Sequence, residues 1–137
     1  MAETISGIVA AVVIIILIRL LSGYFSVKLF AATTLVAIAF IYVGFSLMDN
    51  AIESIVLEVG VALFFYFLAL TGYTKNNLLL AYGILLHGIW DIFHYNSLVI
   101  GTDIPGYWPS FCFIVDIIDG LYFFIVFKKQ KRDQFIS

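Results

Sequence analysis

Two stretches of the chain carry residue types able to do chemistry. The first, LLHGIWDIFHY, sets His87, Asp91 and His94 among leucine, isoleucine, phenylalanine and tryptophan. The second, SFCFIVDIIDG, holds Cys112, Asp116 and Asp119 in equally apolar company. Both sets follow an i, i+4, i+7 spacing, which at about 100° per residue places each on one stripe of a helix. Imidazole and carboxylate together make a ligand set suited to Zn²⁺, Mn²⁺ or Fe²⁺, and softness alone gives little choice among these metals. The chemistry expected is therefore a divalent metal site, with zinc as one candidate ion.

The elements that must position these residues follow from composition. The chain has 137 residues, 64% of them hydrophobic and 12% charged, with a mean hydropathy of +1.12. That is far outside the usage of soluble domains and predicts a membrane protein. Five apolar runs, at roughly 5–21, 29–48, 54–73, 77–95 and 107–127, approach or reach the length that crosses a hydrocarbon core as a helix. The connections SGYFSVK, MDNAIE, YTKNN and NSLVIGTDIPG gather the turn-forming residues and are too short for a second domain. The expected architecture is all-α: residues 1–137 as one integral membrane bundle of five transmembrane helices.

Several classes are excluded. The opening MAETISG lacks the basic region of a secretory signal, so the first run is kept as a true helix. A single cysteine, Cys112, forbids an internal disulfide. A net charge of −2 at low charge density argues against nucleic acid. There is no serine or cysteine triad, phosphate-binding glycine loop or dinucleotide fingerprint. No two glycines stand in GxxxG spacing, so an oligomer is not indicated.

Basic residues near helix ends tend to stay on the cytoplasmic side. With five spans, Arg19, Lys28, Lys75, Lys128, Lys129, Lys131 and Arg132 all fall on one face. The N-terminus is then outside and the C-terminus cytoplasmic, as for a multi-pass protein of a cell (inner) membrane. Glu3, Asp49, Glu53 and Asp103 go to the outer ends. KKQKR fixes this topology and touches anionic lipid secondarily.

Antiparallel fourth and fifth helices match His87 with Asp119, Asp91 with Asp116, and His94 with Cys112 in depth, to within about a turn. Glu58, about a turn inside the third helix, either joins the upper part of this cluster or reaches the outer interface. An aspartate near a helix centre costs about 2.5–3.5 kcal/mol, whereas each leucine or isoleucine returns about 0.3–0.6 kcal/mol, so the acids must face protein or water. No lysine or arginine lies at their depth. Four acids against two histidines leave a deficit that protons or a cation must fill. His87 and His94 are about 10 Å apart along the helix and do not easily share one ion. Either His87 and Asp91 with Asp116 or Asp119 form the site, or Asp91 bridges two.

Simpler readings stand beside this one. Protonated Asp and neutral His can act as hydrogen-bonding glue between helices. Cys112 can be a small packing residue. Trp90, Tyr95, Tyr107 and Trp108 fit an interfacial aromatic belt, and Gly83 fits a helix contact better than a ligand contact.

AYGILLHGIWDIFHY followed by SFCFIVDI resembles a family of small bacterial integral membrane proteins known as a domain of unknown function, marked by Leu-His-x-x-Trp-Asp-x-x-His and a later Cys-x-x-x-Asp. The resemblance covers roughly the second half of the chain. It implies a shared fold and a polar site at His87, Trp90, Asp91, His94, Cys112 and Asp116, and no particular activity. Tyr95 stands where the family has a further histidine, and Asp119 has no counterpart in the motif, which weakens a scheme with two metals.

Three functions follow. A metalloenzyme would hydrolyse an ester or amide entering from membrane lipid, with Asp116 or Asp119 as general base and Glu58, Trp90 and Cys112 supporting the ligands. A proton- or metal-ion carrier would open the cluster alternately to both sides, for which Gly83, Gly88 and Gly120 are the only bends on offer. A structural or assembly subunit would use the stripes to lock helices together. The cluster runs outward from the midplane without a polar path inward, which favours a site over a conduit.

Overall fold

The computed structural model describes residues 2–49, 51–95 and 103–136. Five helices follow one another: α1 (Ala2–Leu21), α2 (Val27–Asp49), α3 (Ile52–Thr74), α4 (Leu78–His94) and α5 (Trp108–Ile136). Four of them are long and apolar enough to cross a membrane. The fourth, α4, has 17 residues and is closed by a bond from the Tyr95 N–H to the Ile92 carbonyl. At about 1.5 Å per residue it spans some 25 Å, at the short end for a hydrocarbon core. The expected bounds hold to a few residues except in α5, which continues as helix through the basic tail because Lys, Gln and Arg are strong helix formers. Residues 96–102 of the fourth connection lie outside the described residues.

Each helix is apolar on most of its faces, and its buried stripe gathers small residues, polar residues and a few large apolar ones. In α2 the buried stripe is Ala31, Leu35, Ala39, Tyr42 and Ser46; in α3 it is Ser54, Glu58, Ala62, Phe65, Ala69 and Gly72. Large side chains such as Ile5, Val9, Leu20, Phe67 and Ile125 point outward, at no penalty where the solvent is lipid. Small residues let the backbones approach. A Cβ on Gly120 would stand 2.7 Å from Leu85, and one on Gly83 would stand 2.5 Å from Leu35. Gly83 is thus a packing contact between α4 and α2.

The short α4 is the hub: it packs along α5 and also touches α2 and α3, while α2 pairs with α3 and α1 lies on α5. The helices alternate in direction, so the seven basic residues gather at one end. There Lys28 sits over Tyr73, Arg19 over Tyr122 and Lys128 over Phe124. Above that end, Leu35, Leu80, Ile84, Phe123 and Phe127 form a buried apolar floor. The polar residues lie beyond this floor, toward the other end.

Candidate metal centre

Asp116 reaches α4 because Gly88 removes the side chain between them; a Cβ there would lie 3.3 Å from the Asp116 Cβ. His87 then donates from Nδ1 to Oδ2 of Asp116 at 2.7 Å, and the same nitrogen stands 3.8 Å from Oδ1 of Asp91, one turn along α4. All three side chains are buried, at 1%, 0% and 1% exposure for His87, Asp91 and Asp116. One potential ligand atom from each falls within 4.8 Å of the others. A tetrahedral ion with bonds of about 2.0–2.1 Å separates its ligand atoms by about 3.3 Å, so these atoms bracket the required spacing. An ion would take the place of the proton that His87 and Asp116 share.

Tyr42 on α2 completes this group. Its hydroxyl donates to Oδ1 of Asp91 at 2.6 Å. Its ring lies flat on His94, with centroids 4.1 Å apart and planes 9° apart, and the His87 ring is 5.9 Å away. Phe65 covers His87 edge-on at 5.1 Å. Sequence reasoning missed Tyr42, whose one signal is a phenol midway along an apolar run, since a buried tyrosine hydroxyl usually finds a partner.

His94 faces elsewhere. Its Nδ1 donates to the Trp90 carbonyl at 3.1 Å, and its Nε2 meets Oε1 of Glu58 at 2.7 Å. Both ring nitrogens are therefore occupied, one by the α4 backbone and one by α3. Glu58, 1% exposed, lies in the interior rather than at the interface. Trp90 stands edge-on to His94 at 5.1 Å instead of joining a belt, while Tyr95 and Tyr107 are about half exposed near the helix ends.

The facing stripes meet within the expected turn: Asp91 bonds Asp116 as matched, and the other two pairs shift. His87 pairs with Asp116, not Asp119, and His94 turns to α3, not to Cys112, which is a buried free thiol. Asp119 is fully buried one turn deeper, and neither of its oxygens has a hydrogen-bond partner. Among the described residues Nε2 of His87 is likewise buried and unpartnered, while the Asp91 carboxylate also bonds that of Asp116. No lysine or arginine approaches these atoms, because all seven sit at the far end.

No curated protein and no solved structure matches the chain. A family model matches residues 2–129, well beyond the half that carries the histidine and aspartate motifs. The chain therefore belongs to the family of unknown function DUF6010.

Proposed function

We propose that the protein is a membrane-embedded metal site, with His87, Asp91 and Asp116 as ligands, that hydrolyses an ester or amide drawn from the lipid phase. The observation that supports it is the gathering of three ligand atoms within 4.8 Å in a buried, base-free interior. Zinc, or another divalent ion of similar preference, would supply a Lewis acid that activates water and polarises a carbonyl. Tyr42 fixes the Asp91 carboxylate, and Phe65 and Tyr42 wall the His87 ring off from water. Asp119, whose two oxygens have no partner among the described residues, would serve as general base, taking a proton from water and giving it to the departing alkoxide or amine. Glu58, Trp90 and His94 brace the wall beside the ligands, and Cys112 packs on the same stripe.

Elemental analysis of the detergent-purified protein beside His87→Ala and Asp91→Ala tests this reading. Stoichiometric metal in the parent, lost in both variants, is the expected result. Absence of metal, with lowered thermal stability in both variants, would leave the cluster as a hydrogen-bonded lock between helices, fitting a structural or assembly subunit.

Asp119 also favours a second reading, because it extends the acidic column toward the basic end as a proton- or metal-ion carrier would require. The apolar floor of Phe123 and Phe127 beneath it argues against a through path. Ion flux into liposomes would reverse the order of the two readings. The clustering of basic residues supports a cytoplasmic C-terminus and an outer N-terminus in a bacterial inner membrane. Reporter fusions to each end test it, and an outward-facing C-terminus would refute it.

A further inference from the structure

Asp91 lines a half-open pocket of about 160 Å³ between the start of α1, the end of α4 and the start of α5. Its other walls include Thr4, Tyr95, Ser110, Phe113 and Ile114. A cavity of about 150 Å³ takes up benzene, so this space suits a fragment of about six heavy atoms. That is the size of an ester or amide linkage with its flanking carbons, and too small for two acyl chains side by side.

The lining is mostly apolar. Phe113 and Ile114 offer hydrocarbon contact, Ser110 and Thr4 add hydroxyl groups, and the fully buried Asp91 belongs to the wall. A hydroxyl group set in an apolar wall can donate to the carbonyl of an ester or amide. No basic side chain lines the pocket, and Glu3 and Asp103 lie exposed at this end of the bundle. An anionic headgroup is therefore disfavoured, and an uncharged one is not. One wall is held firmly. Gly7, close to one turn from Thr4, sits so near α5 that a Cβ would come within 3.0 Å of Ile114.

We propose that this pocket binds the polar linkage of a neutral, single-chain amphiphile, a fatty ester or amide with a hydroxyl-bearing head, entering sideways from lipid beside Asp91. The proposal deepens the hydrolase reading, on which it rests for the chemistry but not for the binding.

The test uses the purified chain in nanodiscs, photolysed with a diazirine-bearing monoacylglycerol or with a diazirine-bearing monoalkyl phosphate, and adducts mapped by mass spectrometry. Neutral-probe adducts are expected on the end of α4 and the start of α5, displaced by unlabelled monoacylglycerol. They should fall about tenfold in Ser110→Trp and in Thr4→Trp, the change that about 1.4 kcal/mol of lost binding produces. Thr4 is exposed, so its variant decides the matter if Ser110→Trp fails to fold. Adducts spread evenly over the lipid-facing helices, unaltered by the variants, or equal for the alkyl phosphate overturn the proposal. Metal content of the same preparations separates the two ideas. Pocket adducts on metal-free protein keep the binding site and remove the metal centre, whereas metal-loaded protein without them does the reverse.

Discussion

Tyr42 and Asp91 are joined across 49 residues of sequence by a 2.6 Å hydrogen bond to Oδ1. The phenol thus fixes the orientation of the carboxylate. Tyr42→Phe keeps the ring on His94 and removes only the hydroxyl. Loss of a group that hydrogen-bonds a metal ligand typically weakens metal binding about 10- to 100-fold. Competition with a chromogenic chelator should show that drop, with the protein still monodisperse; unchanged affinity would detach Tyr42 from the centre.

A ligand that binds only the folded state stabilises it by mass action, by about 2.7 kcal/mol at 100 times its dissociation constant. Dialysis against EDTA should therefore lower the melting temperature of the parent protein. His87→Ala, which lacks the central ligand, should melt at the same temperature with or without the chelator. Equal EDTA sensitivity in both proteins would place the ion elsewhere.

The Glu58–His94 pair offers the complementary control. It lies in the same polar interior yet outside the three-ligand group. A double-mutant cycle with Glu58→Gln and His94→Gln should give a coupling of about 1.5–3 kcal/mol, the range for hydrogen bonds to charged groups. Metal content should stay at the parent level throughout the cycle. Loss of metal in either single variant would enlarge the centre to include this pair.

Close approach of α4 and α5 at Gly120 is predicted to be indispensable. Gly120→Val drives a branched side chain into Leu85 and the α4 backbone, and overpacking of this kind costs about 1–3 kcal/mol. Gly44→Ala, where nothing lies within 4 Å, should leave the melting temperature at or above that of the parent. Equal effects in thermal unfolding would show that the helices do not meet as described.

Much of this was legible in the residues. Apolar run length marked all five helices, and the cost of buried acid required Asp116 and Asp119 to face inward. The exact partnering was not legible, because it depends on how helices cross. Straight antiparallel rods put His87 level with Asp119, whereas glycine-mediated contact at Gly88 brings Asp116 to it. Tyr42 was hidden for another reason: α2 and α4 are not consecutive, and a single sequence holds no record of which distant helix lies beside which. Glu58 could be placed by depth alone, and only the bundle shows that it turns toward His94.

The floor of Leu35, Leu80, Ile84, Phe123 and Phe127 has an electrical consequence. A cation bound at Asp91 and halted above that seal would traverse only a fraction of the transmembrane voltage. A full crossing is worth about 2.3 kcal/mol per elementary charge at 100 mV, so occupancy of the proposed site would respond to membrane polarisation while no current passes.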